Sequence, residues 1–309
     1  MSGADARALA QACHIGYHAA MQTILLVLGP TASGKSLYAI ERAAREGGEI
    51  VNMDSMQVYQ DLSILTARPK PEQCQGIPHH LFGHVDAATP YSTGLWLEEA
   101  KAAIEGIQSR GNRPILVGGT GLYAHALTQG LVPTPPVPAD IRARTRVQVG
   151  ADPKAAHARL MQIDAQAGQR IQPKDIARIA RALEVYDSTG RTLSDWHTEP
   201  APPILAQDTW EGVALMPDRD ALYARIHARF DAMMAAGGLN EAHALWQRQL
   251  DPDLPAMKAV GLPPLADFFA GHIPYEDATS RAILDTRHYA KRQITWIRNR
   301  AVGWEILGV

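Results

Sequence analysis

The 309-residue sequence contains only two cysteines, Cys13 and Cys74, and their separation matches no zinc-binding or redox motif. We therefore expect both to be free thiols in a reducing compartment. No apolar run approaches the roughly 20 residues that a membrane-spanning helix needs. The formal net charge is only −2, so no global positive field marks a nucleic-acid-binding protein, and any RNA-binding surface must be local. These absences predict a cytoplasmic protein without a membrane partner.

A phosphate-binding motif is present near the N-terminus. Residues 29–36, Gly-Pro-Thr-Ala-Ser-Gly-Lys-Ser, match the P-loop pattern G-x-x-x-x-G-K-[ST]. The glycines let the backbone approach an anion, Lys35 adds positive charge, and the Ser36 hydroxyl can coordinate Mg²⁺. The residues expected to bind a diphosphate or nucleotide are Gly29, Pro30, Thr31, Ala32, Ser33, Gly34, Lys35 and Ser36.

Two features of common nucleotide hydrolases are missing. The sequence has no [NT]-K-x-D segment, with which GTPases bind guanine. The apolar strand predicted at 114–117 is followed by Gly-Gly-Thr at 118–120, where most P-loop NTPases have an Asp that helps to hold Mg²⁺. The nearest acid after an apolar strand is Asp54. ATP hydrolysis is therefore a poor explanation of the motif.

The order of predicted elements indicates an α/β fold. Strands at 24–28, 49–53 and 114–117 alternate with helices at 35–46 and 121–129. This alternation predicts a P-loop NTPase-like parallel sheet flanked by helices.

Two proline-rich breaks, at 132–138 and 200–203, bracket a stretch with helical periodicity at 139–196. A return strand is predicted at 210–216, and 219–300 is predicted to be mostly helical. We therefore expect a core domain at 21–135 and 204–309, a helical insertion domain at 136–203 that contacts tRNA, and a disordered extension at 1–20, with Met1 or Met21 as the functional start.

Seven segments, in order along the chain, resemble one enzyme family. They are GPTASGKS at 29–36, NMDSMQVYQ at 52–60, LTARPKP at 65–71, GIPHHLF at 76–82, RPILVGGTGLY at 113–123, DIARIARALEVYDSTGRTLSDW at 175–196 and YAKRQITWIRN at 289–299. Together they are similar to bacterial tRNA dimethylallyltransferases. The resemblance implies transfer of a dimethylallyl group from dimethylallyl diphosphate to N6 of an adenosine adjacent to the anticodon of tRNA. We expect a monomer that uses Mg²⁺ and holds dimethylallyl diphosphate, rather than ATP, in the P-loop.

Three residues are assigned catalytic roles. Asp54 follows a strand at the carboxyl edge of the sheet, and the resemblance implies that it accepts the N6 proton. The Thr120 hydroxyl can donate to the bridging oxygen of the leaving diphosphate, and Lys35 stabilises the charge that grows there. Arg219 matches a basic residue that reaches the diphosphate, and Arg68 is a second candidate. The simpler alternatives are a helix cap or Mg²⁺ ligand for Asp54, a helix cap for Thr120 and a solvated Arg219.

The resemblance also implies contacts with the anticodon stem-loop of tRNA. The expected tRNA-binding residues are Asp54, Ser55, Met56, Gln57, Thr120, Arg142, Ala177, Arg178, Ile179, Ala180, Arg181, Lys258, Gly261, Lys291 and Arg292. Residues 281–300 mix basic side chains with Tyr289, Gln293 and Trp296, which suits base stacking and phosphate contact. A solvated helix face is the alternative.

One segment departs from the family pattern. Residues 258–264 read Lys-Ala-Val-Gly-Leu-Pro-Pro, where the family has Val-Gly-Tyr-Arg. Anticodon-loop contacts from that Tyr and Arg are therefore not predicted, while Lys258 and Gly261 remain. Elsewhere, His79, His80 and His84 lack an acid or cysteine at metal-site spacing, so we expect them to hydrogen-bond to the backbone.

Three other functions remain open. A P-loop small-molecule or nucleoside kinase explains residues 29–36 equally well, but it gives no role to the turn at 118–120 or to the insertion. Prenylation of free AMP or ATP makes less use of the insertion and of the basic C-terminal residues. An RNA-binding protein that only senses nucleotide leaves Asp54 without a purpose.

Overall fold

The computed structural model describes residues 23–132, 134–198 and 202–309, so the extension expected at 1–20 lies outside the described residues. The chain forms two compact units. One runs to Thr128 and resumes at Leu205–Val309, and the other is Gln129–Ile204. The junction expected after residue 135 thus lies inside the second unit, and the junction expected after residue 203 lies next to the observed one.

The first unit is built on a parallel sheet. Its strands are β1 (Ile24–Leu28), β2 (Gly48–Asn52), β3 (His79–His80), β4 (Arg113–Gly118), β5 (Trp210–Leu215) and β6 (Glu305–Leu307). Within the described residues they form one six-stranded sheet in the order β3-β2-β4-β1-β5-β6, and every neighbouring pair is parallel. All five residues of β1 are buried, as expected for a continuous apolar strand at the centre of such a sheet.

Helices flank this sheet. The first three are α1 (Lys35–Glu46), α2 (Thr93–Ser109) and α3 (Gly121–Gln129). Helix α1 packs its Ile40 side chain into a core that includes Val27, Ile50 and Ile115 from three strands. The apolar runs of the sequence thus meet between α1 and the sheet, and burial of these side chains contributes a large part of the stability.

The second unit is helical. It contains α4 (Ala139–Ala151), α5 (Pro153–Ile163), α6 (Ala165–Arg170), α7 (Ile176–Thr189) and α8 (Leu193–Trp196). Asp152 caps α5 by accepting from the backbone N–H groups of Lys154 at 3.1 Å and Ala155 at 2.9 Å. Val149, Leu160, Ile179 and Leu183 belong to its buried core. The predicted α/β fold, with a parallel sheet, flanking helices and a helical domain, is confirmed.

The chain then returns to the first unit through β5 and four further helices. These are α9 (Arg219–Ala235), α10 (Gly238–Gln247), α11 (Leu262–Phe269) and α12 (Tyr275–Arg300). Short 3₁₀ helices lie at Pro71–Gln73, Gln207–Thr209 and Pro255–Lys258. Among the described residues, no helix combines the length and apolarity needed to cross a membrane.

Some elements were not predicted. Helix α2 was not predicted, although four apolar residues on its buried face repeat at helical spacing: Trp96, Ala100, Ile104 and Ile107. Strands β3 and β6 are too short to show a period. The strand predicted at 49–53 is β2, one residue earlier, and Met53 still donates its N–H to the Val117 carbonyl at 2.8 Å.

The strand order brings three loops together. Strand β4 lies between β1 and β2, with Leu28 opposite Gly118 and Asn52 opposite Val117. Because the strands are parallel, the loops after β1, β2 and β4 leave the sheet at the same edge, where open α/β sheets bind ligands. These loops are the P-loop, the loop that carries Asp54, and the turn that carries Thr120.

Candidate active site

The P-loop has a conformation suited to an anion. Ala32 and Gly34 have φ values of 63° and 89°, and the Ser33 N–H donates to the Pro30 carbonyl at 3.2 Å. The Ser33 side chain is buried, and its hydroxyl has no hydrogen-bond partner among the described residues. A Cβ on Gly29 would lie 2.5 Å from that hydroxyl and 3.2 Å from the Leu215 carbonyl oxygen, so a larger residue there would have to displace the Ser33 side chain. A bound phosphate oxygen would give the buried hydroxyl a partner.

Lys35 is the cation of this loop. Its ammonium donates to the Pro30 carbonyl at 3.3 Å, and burial lowers its pKa to about 8, with the negative charge of Asp54 opposing that shift. A cavity of about 430 Å³ adjoins it, lined by the P-loop from Ala32 to Leu37 and by Ala67, Pro69, Gln73 and Gln75. Lys35 is thus an enclosed cation whose charge an anionic ligand would stabilise.

Asp54 and Thr120 lie on two loops that are joined by hydrogen bonds. Asp54 Oδ1 accepts from the Met56 N–H at 2.9 Å, and Thr120 Oγ1 accepts from the Ser55 N–H at 3.0 Å. The Thr120 hydroxyl donates to Ser55 Oγ at 3.3 Å, a long contact. A Cβ on Gly118 would lie 1.9 Å from the Met53 carbonyl oxygen, so the loops approach this closely only because residue 118 is glycine.

Asp54 also faces a second cavity, which has both apolar and polar side chains in its lining. It is lined by Thr31, Asp54, Met56, Leu65, Thr66, Ile226, Arg229, Phe230, Met233, Ala259, Val260, Thr286 and Tyr289. Arg229 lines both this cavity and the P-loop cavity. Sequence reasoning missed Arg229, although a lone cation between Ile226 and Met233 at helical spacing was a signal that it could have used.

The charge of Asp54 influences four titratable neighbours. Burial lowers the pKa values of Lys35 and Arg229, and Asp54 opposes both shifts. Burial raises the pKa values of Tyr123 and Tyr289, and Asp54 adds to both. The carboxylate thus lies at the electrostatic centre of the site, between two cations and two neutral phenols.

The two basic residues first expected near the diphosphate line neither cavity. Arg219 is exposed at the start of α9, 3.5 Å from the carboxylate of Asp220, and lines neither cavity. Arg68 donates to the Tyr59 carbonyl at 2.9 Å and holds that loop. Arg229 lines both cavities, whereas the Arg219 guanidinium lies 5.9 Å from the ring centroid of Tyr223, which packs in the same cluster as Ala32 of the P-loop.

Two expected tRNA contacts in the loop after β2, Met56 and Gln57, already have partners within the first unit. Met56 lines the Asp54 cavity, and Gln57 Nε2 donates to the Thr66 carbonyl at 2.9 Å. Lys258 is exposed and donates to Asp253 at 3.0 Å, and Gly261 has a φ of 89° that allows the turn into α11. Between them Ala259 and Val260 line the Asp54 cavity, so the segment that departs from the family pattern borders the site.

Helix α12 presents two faces. Lys291 and Arg292 are exposed, as expected for phosphate contact. Gln293 and Trp296 face inward. A Cβ on Gly119 would lie 2.0 Å from Gln293 and a Cβ on Gly121 would lie 2.3 Å from Trp296, so both side chains pack on the turn after β4. Tyr289 lines the Asp54 cavity, and the Arg292 guanidinium lies 5.6 Å from its ring centroid, as the i, i+3 spacing on a helix allows.

In the second unit the expected tRNA contacts differ in exposure. Arg178 and Ala177 are exposed, whereas Ile179 and Ala180 are buried in the helical core. Arg181 donates to Thr134 at 2.7 Å and lies 3.8 Å from the buried carboxylate of Glu184. Burial lowers the pKa of Arg181, and the negative charge of Glu184 opposes that shift. The positive charge of Arg142 lowers the pKa further, so the two arginines are neighbours.

The histidines pair with different partners. His79 Nδ1 lies 2.8 Å from the Ile77 carbonyl, as expected for a backbone contact. His80 and His84 instead contact the carboxylates of Glu49 at 2.6 Å and Glu99 at 2.7 Å. The expectation of backbone contacts is therefore wrong for these two, because folding brings distant acids to them. No group of His, Cys, Asp and Glu suited to a metal ion occurs in the described residues.

Comparison with known proteins gives the family. The parallel sheet and the loop after β1 define a P-loop α/β protein. The chain matches the family model described as IPP transferase over residues 57–300 and the one described as isopentenyl transferase over residues 22–82. It is 52% identical over 277 residues to a tRNA dimethylallyltransferase of Nitrobacter hamburgensis, covering 89% of this chain and 87% of the relative. A tRNA dimethylallyltransferase of Hyphomonas neptunium is 49% identical over 287 residues, covering 92% and 90%.

Solved structures agree. The tRNA isopentenylpyrophosphate transferase of Bacillus halodurans is 32% identical with a TM-score of 0.66, and the match covers 93% of this chain and 90% of that one. A eukaryotic dimethylallyltransferase acting on tRNA is 29% identical with a TM-score of 0.77, covering 93% and 74%. This chain belongs to the IPP transferase family, and the resemblance drawn from its motifs is confirmed.

Proposed function

We propose that this protein transfers a dimethylallyl group from dimethylallyl diphosphate to N6 of an adenosine adjacent to the anticodon of tRNA, with release of diphosphate. The observation that carries the proposal is the meeting of the P-loop, Asp54 and Thr120 at neighbouring strand ends. Membership of the IPP transferase family supports it, and the names of the relatives favour it over a kinase.

The P-loop holds the diphosphate in this proposal. The start of α1 and Lys35 line the P-loop cavity, where backbone N–H groups and the ammonium can bind an anion, and a phosphate oxygen would give the Ser33 hydroxyl a partner. Arg229 reaches the same cavity from α9, and we propose it as a diphosphate contact in addition to Arg219. Negative charge grows on the leaving oxygen during the reaction, so these groups stabilise the transition state more than the ground state.

Asp54 and Thr120 act on the two bonds that change. The N6 lone pair of adenine is delocalised into the ring, so attack requires a base that takes the proton as the N6–C bond forms. Asp54 lines the second cavity, and we assign this role to it. The Thr120 hydroxyl can replace its long contact with Ser55 by donating to the bridging oxygen as the C–O bond breaks.

Mg²⁺ fits this site in one mode. The described residues contain no acid cluster that could enclose a metal, but Mg²⁺ often keeps several waters and binds through substrate phosphates. The Ser36 hydroxyl, which lines the P-loop cavity, would hold it together with the diphosphate. When bound, the ion would neutralise charge on the leaving group.

The RNA has exposed basic side chains available in both units. Arg178 in α7 and Lys291 and Arg292 in α12 face solvent, and these three are proposed phosphate contacts. The target base must leave its stack to reach Asp54, which is inexpensive in a single-stranded loop.

The test uses purified protein, labelled dimethylallyl diphosphate and tRNA from a strain that lacks the modification. We expect label to transfer to tRNA and to a short anticodon stem-loop. A parallel assay measures phosphoryl transfer from ATP. Phosphoryl transfer without prenyl transfer would make the kinase the better assignment, and transfer of label to free AMP but not to tRNA would change the acceptor.

A further inference from the structure

Gln293 joins two loops of the active site that come from distant parts of the chain. Its side chain is 5% exposed, and both ends of its amide are used. Gln293 Nε2 donates to the Gly119 carbonyl at 2.9 Å, and Gln293 Oε1 accepts from the Thr31 N–H at 2.9 Å. One buried amide therefore links the P-loop to the turn before Thr120.

The fit around this amide is close. A Cβ on Gly119 would lie 2.0 Å from Gln293 Nε2, so residue 119 must be glycine for the hydrogen bond to form. The Thr31 N–H is directed to Gln293 and is therefore not a donor to the diphosphate. The amide thus has a positioning role, because it holds the first half of the P-loop at a fixed distance from the turn after β4.

We propose that Gln293 is a positioning residue, which sets the distance between the diphosphate in the P-loop and the Thr120 hydroxyl. The inference rests on the proposed function, because these two loops hold the leaving group only if a diphosphate is the substrate. Gln293 itself contacts neither substrate.

This role predicts an effect on the reaction rather than on binding. Lys35, Ser33 and Arg229 remain in place without Gln293, so the diphosphate still binds. The alignment of the bridging oxygen with Thr120 is lost, and a misplacement of about 1 Å can lower a rate by about 10²-fold. Gln293→Leu, which removes both hydrogen bonds, should therefore lower the single-turnover rate about tenfold or more while the diphosphate affinity changes little.

Gln293→Glu provides a signature that loss of packing alone would not give. An ionised carboxylate accepts from the Thr31 N–H but cannot donate to the Gly119 carbonyl, whereas a neutral carboxylic acid does both, as the amide does. Burial favours the neutral form. The rate of this variant relative to wild type should therefore rise as pH falls, while the same ratio for Gln293→Leu stays flat.

The experiment compares the full-length wild-type protein with Gln293→Leu, Gln293→Glu, Gly119→Ala and the control Gln247→Leu, an exposed glutamine on α10. Each is measured for dimethylallyl diphosphate affinity without RNA, single-turnover transfer to an anticodon stem-loop across pH, and amide exchange of the P-loop. Gly119→Ala disrupts the same contact from the other side, so it should lower the rate as Gln293→Leu does, and the control should match wild type.

Two results would overturn the proposal: a wild-type single-turnover rate per folded molecule in Gln293→Leu, or a lowered rate in Gln293→Glu whose ratio to wild type does not change with pH. If Gln293→Leu does not fold, the pH dependence of Gln293→Glu and the rate of Gly119→Ala still test the proposal. Faster exchange of the Thr31 amide in the variants would support the link without any transfer assay. A wild-type protein that transfers no prenyl group would refute the proposed function instead, and the exchange result would remain interpretable.

Discussion

The side chain of Asn52 holds Asp54 at both of its backbone groups. Asn52 Oδ1 accepts the Asp54 N–H at 2.9 Å, and Asn52 Nδ2 donates to the Asp54 carbonyl at 2.9 Å and to the Leu81 carbonyl at 3.0 Å. Asn52 is fully buried at the end of β2, and its own carbonyl accepts from Trp96 Nε1 at 2.9 Å. The buried end of β2 thus fixes the backbone position of Asp54, from which its carboxylate extends.

Asn52→Leu should lower both stability and activity. The change leaves the Asp54 N–H and two carbonyls without partners, and each orphaned buried group costs about 1–3 kcal/mol. Denaturant unfolding measures the loss of stability, and single-turnover transfer measures the effect on Asp54. An unfolding free energy equal to that of wild type would show that the Asn52 hydrogen bonds are replaced by water.

Asp54→Asn separates proton acceptance from structure. The amide oxygen can still accept from the Met56 N–H, so the loop is retained, but the side chain can no longer take the N6 proton. We expect single-turnover transfer to fall by about 10²-fold or more. Affinities for dimethylallyl diphosphate and for the stem-loop serve as controls and should stay close to wild type. A variant that transfers at the wild-type rate would remove Asp54 from the mechanism.

Diphosphate binding should weaken above pH 8. The pKa of Lys35 is lowered to about 8 by burial, with Asp54 opposing, and a bound diphosphate would raise it again. Below pH 8 the ammonium is charged in both states, so this group adds no pH dependence. Above pH 8 the free protein loses the proton, binding must take one up, and the affinity falls by at most about tenfold per pH unit.

Calorimetry in two buffers with different ionisation enthalpies measures that proton uptake. The calorimetry should be carried out above pH 7, because the last ionisation of a phosphate group has a pKa of about 6. Lys35→Arg keeps a charged side chain throughout, so its affinity should not decline in this range. Proton uptake in Lys35→Arg as large as in wild type would mean that another group titrates.

Arg229→Met and Arg219→Met form a matched pair on α9. Arg229 lines both cavities, whereas Arg219 is exposed and lines neither. A hydrogen bond to a charged group contributes about 1.5–3 kcal/mol, so Arg229→Met should lower diphosphate affinity about 10- to 100-fold. Arg219→Met should lower the affinity less, because the Arg219 side chain is exposed. The reverse ranking, measured by calorimetry, would make Arg219 the main contact.

Arg178→Ala and Arg181→Ala should have different effects. Arg178 is exposed, so its loss should lower the salt dependence of stem-loop binding by about 0.9 in the log–log slope. Arg181 contacts Thr134 and Glu184, and Glu184 is only 3% exposed. Loss of the Arg181 side chain should therefore mainly destabilise the second unit. Binding titrations at several salt concentrations and thermal unfolding separate the two. An unchanged slope in Arg178→Ala would leave Lys291 and Arg292 as the main phosphate contacts.

The class of fold and the chemistry of the P-loop could be predicted from local sequence patterns. The run at 24–28, the spacing of residues 29–36 and the helix from Lys35 are local signals, because a strand, a tight turn and a helix each depend on neighbouring residues. The motif order also identified the family. Asp54 and Thr120 could be selected because each follows a predicted strand, and parallel strands end at a common edge.

Which side chains complete the site depends on how the helices pack against the sheet. Arg229 and Gln293 lie far from the P-loop in sequence, and each faces the site because one turn of its helix points there, whereas Arg219 and Lys291 on the same helices face solvent. Composition and spacing do not reveal which face of an amphipathic helix meets a loop 262 residues away, since that follows from packing of the whole sheet. The hydrogen bonds of Asn52 and Gln293 therefore had to be read from the fold.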